Sequence, residues 1–236
     1  MEILRPNKQR AKNAITLIYL VLAFGVVSII SSYVQYELIE VAKTSGISSE
    51  TADANDLRER IIAICRLIVY LISGVTFIQW FRRAYYNLHL RAEELSYTEG
   101  WAAGSWFVPF INLARPYKIM KELYHETHVL IEKKGLKIPV NFSVNHIGWW
   151  WALWIVNNFY GQFLYRLTND AKTIDQIANA TIGSIIGEII GIPLALITIK
   201  LIKDYSILER QLAKIDHIQD AVVIEEDALS ITTVES

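Results

Sequence analysis

The 236-residue chain predicts an all-α integral membrane protein, a four-helix bundle with a re-entrant or interfacial hairpin on its cytoplasmic side. Two observations predict this fold class. Four segments approach the roughly 20 apolar residues that a helix needs to cross a bilayer core about 30 Å thick. Basic residues are also concentrated in alternate loops, the pattern that sets the orientation of a membrane protein. The composition agrees, because hydrophobic residues make up 53% of the chain and charged residues only 20%.

The four spans are predicted over residues 14–34, 61–80, 147–165 and 181–199. The first and third carry no charged side chain, whereas the second contains Arg66 and the fourth contains Glu188. Soluble core helices rarely reach such a length without a polar face. The first apolar run exceeds the usual core of a signal peptide, about 7–15 residues, so we expect it to remain as a helix.

The distribution of basic residues predicts the orientation. Residues 1–13 hold four bases and residues 81–146 hold nine, whereas residues 35–60 hold three bases beside six acids. Loops rich in Lys and Arg stay on the cytoplasmic side. The N-terminus, the 81–146 loop and the C-terminus are therefore predicted to be cytoplasmic, which an even number of spans allows.

The predicted domain organisation is a four-span membrane domain over residues 1–205, followed by a cytoplasmic helix and acidic tail over 206–236. Residues 96–134 form a cytoplasmic hairpin and an amphipathic helix within the membrane domain. The apolar run 101–113 is too short for a normal span, and prolines interrupt helical structure. We favour a re-entrant or surface-lying hairpin, and a pair of extra short spans is the alternative.

Arg66 and Glu188 are the first candidate site. Each ionised group inside a membrane costs about 2.5–3.5 kcal/mol on insertion scales, so such groups usually have a partner or a water-filled surrounding. Both residues lie at similar depth, five and seven residues from the outer starts of their spans. An intramembrane ion pair is predicted, with two interpretations left open. It is either a proton- or ion-linked site or a structural pair, with Arg66 alternatively reaching the outer surface.

A second pattern concerns helix packing. Gly183, Gly187 and Gly191 are spaced four apart and form one smooth face of the fourth span. Small residues at this spacing allow helix backbones to approach closely in lipid. The stripe predicts tight helix packing, either inside the subunit or between subunits.

Several chemistries are not indicated. The net charge of −1 gives no overall basic signature for nucleic acid, and Cys65, the single cysteine, cannot form a disulfide within the chain. His125 and His128 share a helix face but have no third ligand at a diagnostic spacing, so no metal site is predicted. No catalytic residue and no cofactor is predicted either, because nucleotide-binding and nucleophile motifs are missing from the sequence.

Two stretches carry a family resemblance: 80–87 (WFRRAYYN) and 100–117 (GWAAGSWFVPFINLARPY). Together with the Trp-rich segment 149–154 they resemble the bacterial membrane family called domain of unknown function 4328. The similarity covers roughly residues 60–205 and implies a multi-pass protein of the bacterial inner membrane, without implying an activity. The motif residues carry over only as a candidate hairpin pocket, for an anion or a lipid headgroup: Arg82, Arg83, Trp101, Trp106, Pro109, Asn112, Arg115 and Pro116. The alternative is an interfacial hairpin that simply closes the bundle.

The predicted function is non-enzymatic: a scaffold, regulator or accessory subunit in the lipid bilayer, with a second copy or another membrane protein as its partner. The alternative is a small oligomeric transporter or channel that uses Arg66 and Glu188, since broken helices at a binding site are typical of transporters. A lipid-modifying enzyme is the third hypothesis.

Overall fold

A computed structural model describes residues 3–92, 94–136 and 145–234, with side chains as far as residue 214. Within these ranges the chain is helical and contains no strand, which confirms the all-α prediction. The helices are α1 (Lys8–Ser45), α2 (Ser49–His89), α3 (Trp101–Gly104), α4 (Arg115–Lys133), α5 (Asn145–Asn169) and α6 (Ile174–Val234), with one 3-10 turn at Ile111–Leu113. The last two residues of the predicted acidic tail lie outside the described residues.

Among the described residues, three helices are long and apolar enough to cross a membrane: α1, α2 and the part of α6 from Ile174 to Lys214. They contain the predicted spans 14–34, 61–80 and 181–199. The remaining predicted span lies in α5, which has 25 residues and is therefore about 37 Å long at 1.5 Å per residue. Asn157, Asn158 and Gln162 interrupt its apolar sequence, and it is not among the three helices that are apolar enough to cross a membrane. The four-helix bundle and the re-entrant hairpin therefore stay predictions.

The described chain divides into two compact units. The membrane unit comprises residues 10–78 and 145–201, and the packed unit comprises 3–9, 79–92, 94–136 and 202–234. Helices α2 and α6 contribute residues to both units. Helix α6 is also continuous across residues 205 and 206, where the sequence places its domain boundary.

Many large apolar side chains of the membrane unit are exposed, and several of its buried positions hold small residues. Buried positions of α1 include Ala14, Gly25 and Ser32, whereas aliphatic side chains such as Ile30 and Leu67 are exposed. In water this arrangement would be unfavourable, because large exposed apolar patches cost free energy. In lipid it is expected, because hydrocarbon solvates the aliphatic side chains and small residues let the helices approach.

The packed unit has the opposite distribution, with a core of large aromatic and aliphatic side chains. Tyr205 of α6 lies at its centre, with its ring centroid 6.1 Å from that of Trp80 and 5.3 Å from that of Tyr124, both in edge-to-face geometry. Fully buried residues around this cluster are Phe81, Ala84, Leu88, Ile119, Met120, Leu123, Ile131, Ile202, Leu208 and Leu212. Such a core is stabilised mainly by the removal of apolar surface from water.

Helix α4 supplies one face of this core and has clear end signals. Pro116 lies in its first turn, where the missing N–H costs nothing. Its end is marked by Gly135, whose φ of +68° is easily adopted only by glycine. The amphipathic helix predicted within residues 96–134 is observed as α4.

Replacing Leu123 by Ala should destabilise the packed unit by about 2–5 kcal/mol, because it removes a fully buried side chain and leaves a cavity. Lys121→Ala, on the exposed side of the same helix, is the matched control and should change stability by less than about 0.5 kcal/mol. Denaturant unfolding of the detergent-solubilised protein, followed by tryptophan fluorescence, measures both. Equal effects of the two changes would contradict the buried position of Leu123.

Candidate functional site

The structure brings Arg66 and Glu188 together in the membrane unit. Nη2 of Arg66 on α2 lies 2.6 Å from Oε1 of Glu188 on α6. The Glu188 side chain is 13% exposed and the Arg66 side chain 44% exposed. Helix α1 lies beside the carboxylate, because a Cβ built on Gly25 would be only 3.1 Å from Oε2 of Glu188. The acid is thus enclosed between helices, while the guanidinium extends towards the surface of the unit.

The glycine stripe of α6 is covered by α5. A Cβ on Gly183 would lie 3.1 Å from Cδ1 of Leu164, and a Cβ on Gly187 would lie 3.0 Å from Cε1 of Tyr160. The Tyr160 hydroxyl also donates a hydrogen bond of 2.7 Å to the carbonyl oxygen of Gly183. Gly191 has more room, since its nearest neighbour would be Oδ1 of Asn157 at 3.8 Å. Of the two interpretations left open by the sequence, the structure shows packing within one chain at Gly183 and Gly187.

The arginines of the candidate hairpin pocket have partners in the packed unit. Arg82 forms an ion pair of 3.2 Å with Glu99. The guanidinium of Arg115 lies 4.0 Å from the ring centroid of Trp101, a cation–π contact. Arg83 lies farther from its aromatic neighbour, at 5.8 Å from the ring of Tyr86.

The remaining residues of that candidate pocket are distributed between the core and the surface. Trp106 packs edge-on against Phe81, with centroids 6.5 Å apart, and its Nε1 donates to the carbonyl of Ala102 at 3.1 Å. Pro116 is buried, Asn112 is half-buried and Pro109 is exposed. Because Pro109 is exposed, the structure does not enclose all eight residues in one pocket.

Two aromatic side chains near Pro109 are strongly exposed. Phe107 is 75% exposed and Phe110 is 86% exposed. Phe110 also has a φ of +64°, a backbone conformation that costs a non-glycine residue of order 1–3 kcal/mol. The turn therefore holds apolar side chains outside the core at an energetic cost.

Sequence reasoning missed a polar cluster that ties the N-terminal segment to the packed unit. The Asn87 amide donates to the carbonyl oxygen of Arg5 at 2.9 Å and to Oε1 of Glu209 at 2.7 Å. Its Oδ1 accepts the Arg5 N–H at 3.0 Å. Nδ2 of Asn7 lies 3.2 Å from both oxygens of Glu209. Asn87 ends the WFRRAYYN stretch, but no sequence signal connects it to positions 5, 7 and 209.

Glu209 lies ten residues beyond the predicted span 181–199, about 15 Å along the helix. Burial raises the pKa of its carboxyl group, because desolvation disfavours the charged form. The hydrogen bonds from Asn87 and Asn7, and the charge of Arg83, lower the same pKa. Asn87, Asn7 and Arg83 therefore partly offset the desolvation of the Glu209 carboxylate.

A second missed acid is Glu122 of α4. Its Oε2 accepts a hydrogen bond of 2.5 Å from the Tyr85 hydroxyl, and its Oε1 accepts the backbone N–H of Ser96 at 2.7 Å. The Tyr85 hydroxyl is also 3.1 Å from the carbonyl oxygen of Tyr97. These contacts fix the segment after α2 against α4.

A cavity of about 680 Å³ lies in the membrane unit beside Arg66. It is bounded by one face of α2 and one face of α5. The lining residues are Ala63, Arg66, Leu67 and Tyr70 from α2, and Asn157, Asn158, Gly161, Gln162, Tyr165 and Arg166 from α5. Two arginines and three side-chain amides give this lining a polar part, between apolar residues such as Ala63 and Leu67. Within the described ranges, no three His, Cys, Asp or Glu side chains are placed to hold a metal ion.

The comparison with protein families supports the family resemblance seen in the sequence. The family described as Domain of unknown function (DUF4328) matches residues 43–206, most of the chain. The resemblance seen in the sequence is therefore confirmed. The match includes Asn87 but neither Arg5 nor Glu209, with which Asn87 bonds, nor Asn7, which bonds Glu209. No curated protein and no solved structure matches the chain.

Alanine substitutions along the glycine stripe should separate close packing from helix propensity. Gly→Ala in a helix gains about 0.5–1 kcal/mol where space allows, so Gly191→Ala should be neutral or stabilising. Gly187→Ala should be less stable than Gly191→Ala by about 1–3 kcal/mol, because the hydroxyl hydrogen bond restrains the Tyr160 ring against which the new methyl group would press. Thermal unfolding in detergent measures the difference. Equal stability of the two variants would contradict the observed α5–α6 contact.

Proposed function

This chain belongs to the DUF4328 family, whose description assigns no activity, and on that premise we propose that it is a non-enzymatic membrane scaffold, regulator or accessory subunit. The observation that carries the proposal is the pairing of the two charges in the spans. Glu188 is enclosed and lies 2.6 Å from Arg66. Breaking such a pair is costly, whereas replacing both partners with apolar residues is often neutral. This behaviour is typical of a structural element.

The two units support the same proposal. The membrane unit exposes aliphatic side chains and the packed unit has an aromatic core, so one chain combines a lipid-solvated part with a water-type core. The partner is proposed to be a second copy or another membrane protein. Since Gly183 and Gly187 contact α5 within the chain, that partner would contact the exposed aliphatic faces of the spans.

The proposed location is the bacterial inner membrane, with four spans and both termini in the cytoplasm. The aromatic ends of α5 support its role as the additional span. Trp149 near its start is 66% exposed and Tyr165 near its end is 71% exposed. They are sixteen residues apart, about 24 Å along a helix, and exposed aromatics at both ends of a span are typical of the two membrane interfaces.

The turn that contains Phe107 and Phe110 is proposed to insert into the headgroup region as a surface-lying hairpin. Apolar side chains exposed beside a basic amphipathic helix favour interfacial binding. Helix α4 provides the exposed bases Lys118 and Lys121, which anionic headgroups would attract.

The rival function is a small oligomeric transporter or channel that uses Arg66 and Glu188. One observation favours it, the polar cavity beside Arg66. A carrier of protons or ions would need its charged groups for transport, whereas a scaffold would need them only for packing. The two functions therefore differ in their response to removal of both charges.

The topology predicts which introduced cysteines react from outside the cell. In a Cys65→Ser background, Ile47→Cys and Lys172→Cys should be labelled by an impermeant thiol reagent on intact spheroplasts. Lys134→Cys should be labelled only after the membrane is opened. All three positions are exposed. Labelling at position 172 is decisive for α5, because a three-span chain would place positions 134 and 172 on the same side.

The decisive test of the proposed function compares Arg66→Leu with Arg66→Leu/Glu188→Leu. The single change should cost about 1–3 kcal/mol, less than a fully buried pair because Arg66 is partly exposed. The double variant should unfold within about 1 kcal/mol of the unsubstituted chain and keep the same copurifying complexes. Native mass spectrometry and denaturant unfolding measure these outcomes.

The same proteins are then reconstituted into vesicles carrying a pH-sensitive dye. The unsubstituted chain should pass protons no faster than empty vesicles do. A proton flux present with the unsubstituted chain and lost in the folded double variant would favour the transporter and contradict the scaffold.

A further inference from the structure

We propose that the cavity between α2 and α5 binds the phosphate group of a membrane lipid whose headgroup carries a net negative charge. This inference rests on the proposed placement of α5 in the membrane, and it adds a ligand to the scaffold. It also gives the polar cavity a role other than transport. Four observations carry it: the shape of the cavity, its unpartnered polar side chains, its charge and its apolar rim.

The shape is that of a groove whose floor lacks a side chain. Ala63, Arg66, Leu67 and Tyr70 recur at helical spacing on one face of α2. Across from them Gly161 of α5 has open space, because a Cβ there would meet no atom within 4 Å. The volume, about 680 Å³, falls in the range of small-molecule sites, roughly 300–1,000 Å³.

Three polar side chains in the lining have no partner among the described residues: Asn157, which is half-buried, and Gln162 and Arg166, which are exposed. Asn158 differs, because its amide donates to the carbonyl of Trp154 at 2.8 Å. Polar groups in lipid without a hydrogen-bond partner cost free energy. A ligand that supplies several acceptor oxygens would satisfy these donors together.

The charge of the lining selects an anion. No acidic residue lines the cavity. The charge of Arg66 is compensated by Glu188, whereas that of Arg166 is not, so the site carries a net positive charge. A guanidinium has five N–H donors, and pairing with one carboxylate therefore leaves donors of Arg66 to face the cavity. Arginine binds phosphate through paired N–H···O bonds.

The rim favours a lipid over free phosphate. Leu67, Tyr70 and Tyr165 line the cavity and are themselves exposed at the surface of the unit. These side chains would contact the glycerol and upper acyl groups of a lipid whose phosphate lies between Arg66 and Arg166. Basic pockets between spanning helices are a known form of headgroup site.

The test is native mass spectrometry of the full-length protein in mild detergent, titrated with phosphatidylglycerol, with phosphatidylcholine or with inorganic phosphate. Gly161→Leu places a side chain on the groove floor, where an added Cβ meets no protein atom within 4 Å. Gly74→Leu is its matched control, because Gly74 is also in open space on a spanning helix but does not line the cavity. Arg166→Gln removes the uncompensated charge, and Lys172→Gln removes a nearby base outside the lining.

The expected result is one retained phosphatidylglycerol per chain, bound at least about tenfold more tightly than phosphatidylcholine, a difference of about 1.4 kcal/mol. Gly161→Leu and Arg166→Gln should each weaken this binding about tenfold or more, and the two controls should leave it unchanged. If inorganic phosphate binds as tightly and displaces the lipid, the phosphate site stands and its natural ligand is soluble.

The inference is overturned if phosphatidylglycerol binds no better than phosphatidylcholine, or if Gly161→Leu retains it as well as Gly74→Leu does. Cysteine labelling at position 172 separates this failure from failure of the proposed function. A chain in which α5 spans the membrane but no lipid is retained refutes the headgroup site alone. A chain in which α5 does not span refutes the membrane placement on which the site rests.

Discussion

Charged and polar groups within a bilayer must be satisfied by the protein itself, because hydrocarbon offers them no partner. The Arg66–Glu188 pair meets this constraint between α2 and α6, with Gly25 of α1 allowing the carboxylate to approach. Enclosure of the Glu188 carboxylate between α1, α2 and α6 depends on this contact, because an unpaired charge there would be costly. The same ion pair places the Arg66 guanidinium at the edge of the cavity. A contact between packed helices therefore also supplies part of the polar lining that a ligand would use.

The packed unit has a different distribution of side chains. There large rings such as Trp80, Tyr124 and Tyr205 are buried, as in proteins that fold in water, while the polar groups of Asn87 and Glu209 bond with each other. Helices α2 and α6 each change from one pattern to the other along their length. A helix can do this because its backbone hydrogen bonds are internal and do not depend on the solvent.

Close packing in the membrane unit relies on small residues rather than on hydrophobic burial. Lipid tails solvate aliphatic side chains as well as protein does, so helix association depends on close contact and hydrogen bonds. Tyr160 supplies both, through its ring against Gly187 and its hydroxyl on the carbonyl of Gly183. At the neighbouring Gly161 no helix packs closely, and the missing side chain leaves open space in the groove.

The sequence by itself determined the helical class, three apolar spans, the amphipathic helix α4 and the family, because hydropathy, periodicity and short motifs are local properties. It also singled out Arg66 and Glu188, since a charge in an apolar run is visible without coordinates. Only the tertiary structure decided that α5 covers Gly183 and Gly187, that Asn87 holds Arg5 and Glu209, and that Asn157, Gln162 and Arg166 share a cavity with Arg66. These are contacts between residues far apart in the chain, and one sequence carries no signal for which helix faces meet.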